Sequence, residues 1–415
     1  MKKILGLTAA VVMGLTSTAA LASKARILAL GEETEDHYFI EDSRSIFTNA
    51  SYVNNYADTL MLEWGGNGAG NSSFLDTDSS PKAMGGFLKR SGNFVYGIYL
   101  GNESNVSTFL RVLASPDTFA NGYLASSDNQ TDIFVGSETT SGIKWGASFV
   151  YTNDKNEANT AANSSDKGMA MRLGAQKDMW EAFANISLAS ESERKNIATP
   201  TKFDGKLGFQ LGGSYKFDDL KVFASYKQFD WEQTGGNQAA GVKTDGGFTR
   251  YFVGAGRTIK VNETDTVFVK AMYNSLNVEL EYASGKAELT RNALPLTVGY
   301  EAQATSWLVL RGSVTHNLMG TAESKNLGTV VGTETGTNGL KYAALGAYNG
   351  STTDGKAEIA NSTNVSTGAT LLFGNLSIDG FVGLTSSSRT AAAQAETGTL
   401  ALDNLLTRVG MTYKF

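Results

Sequence analysis

The chain ends on Leu405-Leu406-Thr407-Arg408-Val409-Gly410-Met411-Thr412-Tyr413-Lys414-Phe415. At a period of two, Leu405, Thr407, Val409, Met411, Tyr413 and Phe415 share one face, and Arg408, Gly410, Thr412 and Lys414 share the other. One face suits hydrocarbon and the other water, over the roughly 9–11 residues that a tilted strand needs to cross a bilayer. Every backbone polar group in hydrocarbon needs a partner, so such a strand belongs to a closed barrel. An edge strand of a secreted β-sandwich has the same local pattern, so the rest of the chain has to decide.

Strand-like alternation recurs at 59–65, 82–90, 94–103, 131–138, 143–152, 168–177, 180–190, 204–217, 220–232, 246–260, 266–281, 288–304, 307–320, 364–374 and 376–387, before the final 405–415. The connections discriminate better than the strands. Arg90 to Asn93, Glu138 to Gly142, Asp178-Met179, Asp218-Asp219, Asn262 to Asp265, Thr305-Ser306 and Gly374-Asn375 are short and rich in turn residues. They alternate with the long polar stretches 66–81, 104–130, 153–167, 191–203, 233–245, 321–363 and 388–404, with Tyr282 to Ala287 the shortest of that series. Membrane barrels have short turns at one end and long loops at the other, and a sandwich has no reason to alternate them. The expected fold is all-β: a transmembrane antiparallel up-and-down β-barrel over 58–415. It has about sixteen strands, with fourteen to eighteen allowed because 321–363 has room for another hairpin.

A basic side chain on the lipid face costs about 2–4 kcal/mol at the midplane, so charge identifies the water side. On 307–320, Leu308, Leu310 and Val314 oppose Arg311, Ser313, Thr315 and Asn317. On 204–217, Leu207, Phe209, Leu211, Tyr215 and Phe217 oppose Lys206, Gln210, Ser214 and Lys216; on 168–177, Met169, Met171, Leu173 and Ala175 oppose Arg172 and Gln176; on 143–152, Ile143, Trp145, Phe149 and Tyr151 oppose Lys144 and Ser148. The resulting candidate pore lining is Lys144, Arg172, Lys206, Lys227, Arg250, Lys270, Arg311 and Arg408 on the basic side, with Glu63, Glu181, Glu301 and Asp379 on the acidic side. Arg and Lys rings favour anions, so the lining leans toward anion preference. Two positions strain the pattern. Pro295 implies a bulge in its strand, and Arg257 falls on the lipid side, which is tolerable only near an interface.

At the other end, Lys2 and Lys3 precede an apolar run from Ile4 to Leu15 that closes on Ala20-Leu21-Ala22, the pattern of a cleaved secretory signal over 1–22. Residues 23–57 read as a periplasmic or lumen-facing lead-in. Mean hydropathy is −0.18, and beyond the signal no run approaches the ~18 apolar residues of a membrane helix. With no cysteine in 415 residues, disulfides and thiolate sites are excluded. A net charge of −6 argues against nucleic acid as a partner. Only His37 and His316 are available for acid–base work, on separate elements, so no catalytic constellation forms. Asp76-Thr77-Asp78 lacks the glycine and distal glutamate of a calcium loop, and Gly65 to Gly70 breaks dinucleotide-binding spacing. Neither an enzyme nor a cofactor or metal is expected.

Over nearly all of 58–415 the chain resembles bacterial porins. With Asn54-Asn55-Tyr56 leading into Glu63-Trp64-Gly65, and with Trp307-Leu308-Val309-Leu310-Arg311-Gly312-Ser313-Val314, it resembles more narrowly the major outer-membrane proteins of Bdellovibrio-type predatory bacteria. The resemblance implies a bacterial outer membrane with its lipid and lipopolysaccharide, and a homotrimer. It also implies a water-filled channel through which small hydrophilic solutes and ions diffuse passively. A porin constriction loop does not transfer by position, because 153–167 is plainly polar. The candidates for constriction are Phe109 and Arg111 in one long loop and Lys341 and Tyr342 in another. The alternatives are a substrate-specific transporter, of hydrophobic substrates among others, plugged by 23–57, or a structural or adhesion barrel.

Overall fold

The computed structural model describes residues 23–32, 37–65, 82–102, 130–157, 163–195, 201–234, 243–282, 285–326, 355–358, 363–386 and 408–415. The first seven strands are β1 (Thr59–Gly65), β2 (Lys82–Ser91), β3 (Phe94–Leu100), β4 (Thr131–Glu138), β5 (Lys144–Asn156), β6 (Asn163–Lys177) and β7 (Trp180–Lys195). Then come β8 (Thr201–Gly205), β9 (Phe209–Phe217), β10 (Leu220–Thr234), β11 (Lys243–Lys260), β12 (Asp265–Tyr282), β13 (Gly285–Thr305) and β14 (Leu308–Lys325). The last are β15 (Gly355–Glu358), β16 (Thr363–Phe373), β17 (Leu376–Ser386) and β18 (Arg408–Lys414).

Each strand pairs antiparallel with its neighbours, and β1 pairs with both β2 and β18, so the sheet closes on itself. Both β8 and β9 pair with β7 and with β10, which makes them two halves of one stave. Both β15 and β16 pair with β14 and likewise share a stave. The eighteen segments therefore form a sixteen-strand antiparallel transmembrane barrel. The described part of 321–363 extends an existing stave and adds no hairpin there.

Tight turns follow the expected chemistry. Asp178 and Asp218 take positive φ (43° and 61°) in the two-residue links β6–β7 and β9–β10, and Gly374 does so (61°) between β16 and β17. Two-residue hairpins favour such left-handed positions, where Gly, Asn and Asp sit at least cost. The β5–β7 and β10–β14 strands run several residues further toward the loop end than their apolar alternation suggests. Their loop ends are polar, as in Glu191 to Lys195 of β7.

Parity holds through the wall. Phe149, Tyr151, Leu211, Tyr215, Phe217, Val298, Tyr300, Leu310 and Val314 are exposed on the outer surface, while Ser148, Arg172, Gln210, Arg311 and Ser313 are buried on the inner one. Pro295 produces a register shift against β14, between Leu294 and Pro295. Arg257 stands at the turn end, 2.5 Å from Asp219 in the β9–β10 turn, where water is at hand.

Candidate functional site in the barrel lumen

Of residues 23–57, the described ones, 23–32 and 37–57, lie inside the barrel. Lys24–Ala29 forms a short helix, α1, and Ser43–Phe47 and Ala50–Asn54 form 3-10 turns. Asp42 and Asn49 cap those turns by accepting the backbone N–H groups of Arg44 and Ser51. From Ser23 the described residues of this segment run along the inner wall and lead into β1.

Contacts mark this course stave by stave. Ser23 meets β17 at Asp379 (3.3 Å) and packs on Gly410 of β18. Ala29 touches Gly368 of β16 and accepts a bond from Ser313 of β14 (2.9 Å). Arg26 grips Glu301 of β13 through two bonds (3.0 and 3.2 Å), and Glu32 pairs with Lys270 of β12 (2.7 Å). Tyr38 and Phe39 pack on Phe223 of β10, with Phe252 of β11 beside Tyr38 and Phe268 of β12 beside Phe39. Tyr38 also accepts from Gln210 of β9 (2.7 Å). Thr48 accepts from Asn185 of β7 (3.1 Å), and Ser51 accepts from Gln176 of β6 (3.1 Å). Asn54 donates to the Trp145 carbonyl of β5, and its own carbonyl accepts from Arg90 of β2. Phe47 packs edge-on against Tyr99 of β3 and Phe134 of β4, and Glu63 of β1 accepts from Arg44 (3.1 Å). All sixteen staves are touched.

Arg26 reaches Asp42 at 3.1 Å, so the two described parts of the segment are tied to each other as well as to the wall. Burial pushes the Asp42 carboxyl up to about 7, against the lowering influence of Arg26. For Arg26 burial opposes the charge, and Glu301 and Asp42 overcome it, so its guanidinium stays charged. Two apolar clusters complete the seat. Ile46, Phe47, Tyr52, Val53 and Tyr56 pack with Leu88, Val95, Tyr99 and Phe134, and Leu30, Tyr38 and Phe39 pack with Phe183, Phe223, Phe252 and Phe268. A small cavity of mixed lining remains between His37, Tyr38, Ile40, Glu181, Phe183 and Lys221.

The lining positions fall into groups. Arg311 is buried between Glu301 (2.8 Å) and Asp379 (3.0 Å), and Arg172 is held by Asp132 (2.6 Å). Glu181 meets Lys221 (3.0 Å). Lys227 is buried, and Arg250, also buried, donates to Asn274 (3.2 Å). Lys144 reaches Asn55 (2.7 Å) at the exposed turn end. Lys206 is exposed between β8 and β9 and pairs with Asp245 (3.0 Å). Arg408 pairs in register with Gly65, and its side chain lies outside the described residues. So do the constriction candidates Phe109, Arg111, Lys341 and Tyr342 and the Asp76-Thr77-Asp78 stretch. Among the described lining candidates, Arg172, Lys206, Lys270 and Arg311 have acidic partners, whereas Lys144 and Arg250 bond asparagine side chains.

Sequence reasoning missed the wall glycines. A β-carbon on Gly136, Gly146 or Gly174, on three successive strands, would strike Val53, Ala50 or Asn49 within 2.4 Å. Glycine inside a strand marks close approach of another backbone, and all three stand on the inward parity, so the signal was present. His37 and Ser45 lie 3.1 Å apart inside the segment, and His316 lies 2.7 Å from Thr363 on β16, far from it. Among the described residues no group of His, Asp and Glu could hold a metal ion.

No family model and no curated protein matches the chain. Solved structures do, at low similarity. A FadL homologue of Pseudomonas aeruginosa is 11% identical, with a TM-score of 0.39 over 92% of this chain and 96% of that one. The toluene transporter TbuX of Ralstonia pickettii is 10% identical, with a TM-score of 0.35 over 94% and 98%. A porin is 11% identical, with a TM-score of 0.36 over 86% and 99%. These are bacterial outer-membrane barrels, and at such scores the likeness carries no argument about function. The narrower resemblance to Bdellovibrio-type proteins rests on its two short motifs alone.

Proposed function

We propose that the protein is a bacterial outer-membrane transport barrel whose resting path is closed by its own residues 23–57, exported by the signal at 1–22. Small solutes cross when that segment shifts or leaves its seat. The observation that carries this is the contact of one segment with all sixteen staves, with its two described parts tied together by Arg26 and Asp42. Sixteen staves alone would enclose an aqueous channel. This reading favours the plugged alternative of the sequence analysis over the open porin expected there, and the trimer stays a proposal from resemblance.

The test is planar-bilayer conductance of the mature protein beside a variant lacking 23–57. Large stable openings in the deletion variant, against small or rare ones in the full chain, support the gate. Equal conductance of two folded barrels would mean that solutes pass around the segment.

A second reading concerns the solute. Phe203, Phe229, Trp231 and Phe248 form a buried stacked group on β8, β10 and β11, with Phe229 on Trp231 at 5.8 Å. Phe229 and Trp231 share the inward parity of Lys227, where a purely hydrophilic path would carry polar groups. This favours solutes with an apolar part. A change in Trp231 emission with such solutes, absent with sugars, checks it.

A further inference from the structure

Ser23, the first described residue of the segment, is buried. Its side chain fills the space that Gly410 leaves open, and its hydroxyl donates to Asp379 at 3.3 Å. The next peptide N–H, that of Lys24, donates to Glu63 at 2.8 Å. The backbone nitrogen of Ser23 therefore lies between two groups that already bond buried carboxylates, Asp379 on β17 and Glu63 on β1, the two strands that flank β18 and share the register of Gly410. Arg311 and Thr370 serve Asp379, while Arg44 and Tyr99 serve Glu63, so each anion has partners on its far side.

Ala20-Leu21-Ala22 stands immediately before this residue. Hydrolysis of the Ala22–Ser23 amide adds one water. Oxygen goes to the Ala22 carbonyl, which leaves as a carboxylate, and the serine nitrogen takes up the protons to become an ammonium. A free α-amino group titrates at roughly 7.7–8.0, and two adjacent carboxylates favour its charged form. We propose that this ammonium, created only by cleavage after Ala22, is the latch that seats the start of the plug between Asp379 and Glu63. The inference rests on reading 23–57 as a plug and 1–22 as a cleaved signal. Processing then precedes plug docking, because an uncleaved chain has a neutral amide at this place.

Periodate tests the latch, because it converts an N-terminal serine to a glyoxylyl group, releasing ammonia and formaldehyde and removing the ammonium. Mature protein beginning at Ser23 is treated either folded, or unfolded and then refolded. Protease cutting within 23–57 is read against untreated protein. The folded protein should resist oxidation. The protein oxidised before refolding should be cut about tenfold faster in this segment, since cutting tracks the open population. Ser23→Ala protein, which keeps the amine and has no oxidisable N-terminal serine, should be cut alike with and without periodate. Rapid oxidation of the folded protein, or unchanged cutting after oxidation, overturns the latch. The readout is independent of conductance. A loosened segment in a barrel whose conductance ignores 23–57 would uphold the latch and refute the gate.

Discussion

A β-carbon on Gly146 would lie 2.1 Å from the carbonyl oxygen of Ala50. The wall of β5 thus reaches the backbone of the lumenal segment with no side chain between them. Gly146→Val should unseat the second 3-10 turn and leave the barrel folded, because the residue faces inward and its ladder partners Gly136 and Gly174 are small. Overpacking costs about 1–3 kcal/mol, so the open fraction in bilayers should rise about tenfold. Ala175→Val, on the outward face of β6, serves as the control. If Gly146→Val leaves the open fraction unchanged, the glycine seat does not hold the segment.

The Arg26–Glu301 contact predicts coupling across the plug boundary. Removing Arg26 leaves part-buried Glu301 with Arg311 alone and takes the guanidinium from buried Asp42, so the cost stays below the ~3–5 kcal/mol of a fully stranded buried charge. Arg26→Met should therefore expose 23–57 to protease more than the paired Arg26→Met, Glu301→Gln variant does. A double-mutant cycle should return a coupling of about 0.5–3 kcal/mol. Strict additivity would mean the two side chains do not meet.

Proton linkage gives docking a direction with pH. The Asp42 carboxyl sits at about 7 when buried, above its ordinary 3.8, because burial disfavours its charge. A group whose docked pKa is raised binds a proton more tightly in the docked state. Its contribution is full below the ordinary carboxyl value and is lost as pH rises toward 7. Openings should be rarer at pH 5 than at pH 8, and Asp42→Asn should flatten the difference. A closed fraction that grows with rising pH would contradict this assignment.

The barrel is legible in the sequence because lipid imposes a rule that each strand obeys separately. Val298, Val314 and Val365 are register partners on β13, β14 and β16, and all three are exposed. Short turns such as Asp218-Asp219 fix where each hairpin reverses. The plug is less legible because its contacts are between elements distant in sequence. Nothing local to Glu32 says that it will meet Lys270. One clue was available on β10, where Phe223, Phe229 and Trp231 share the inward parity of Lys227. Apolar groups on the side assigned to water mean that something other than water lies there. The same valine row gives a check on the outer face: Val314→Arg should cost about 2–4 kcal/mol in unfolding from bilayers if it lies near the midplane. A neutral effect would place Val314 outside the hydrocarbon.

Ion preference should depend on whether the segment is present. Residues 23–57 carry six acidic and three basic groups, a net of −3. Deleting them releases Lys270 from Glu32 and Arg311 from competition with Arg26 for Glu301, and leaves Lys144, Lys221, Lys227 and Arg250 on the inner wall. The wall carboxylates Glu63, Glu181, Glu301 and Asp379 stay, and Asp132 remains tied to Arg172. Cations then outnumber anions among these inward groups, and basic walls favour anions. Under a KCl gradient the deletion variant should show a reversal potential of the anion-selective sign, shrinking as salt rises and screening shortens. Residual current through the full chain should be less anion-selective than that, because Glu32 again neutralises Lys270 on the inner wall. A cation-selective deletion variant would mean that the field is set by groups other than these wall side chains.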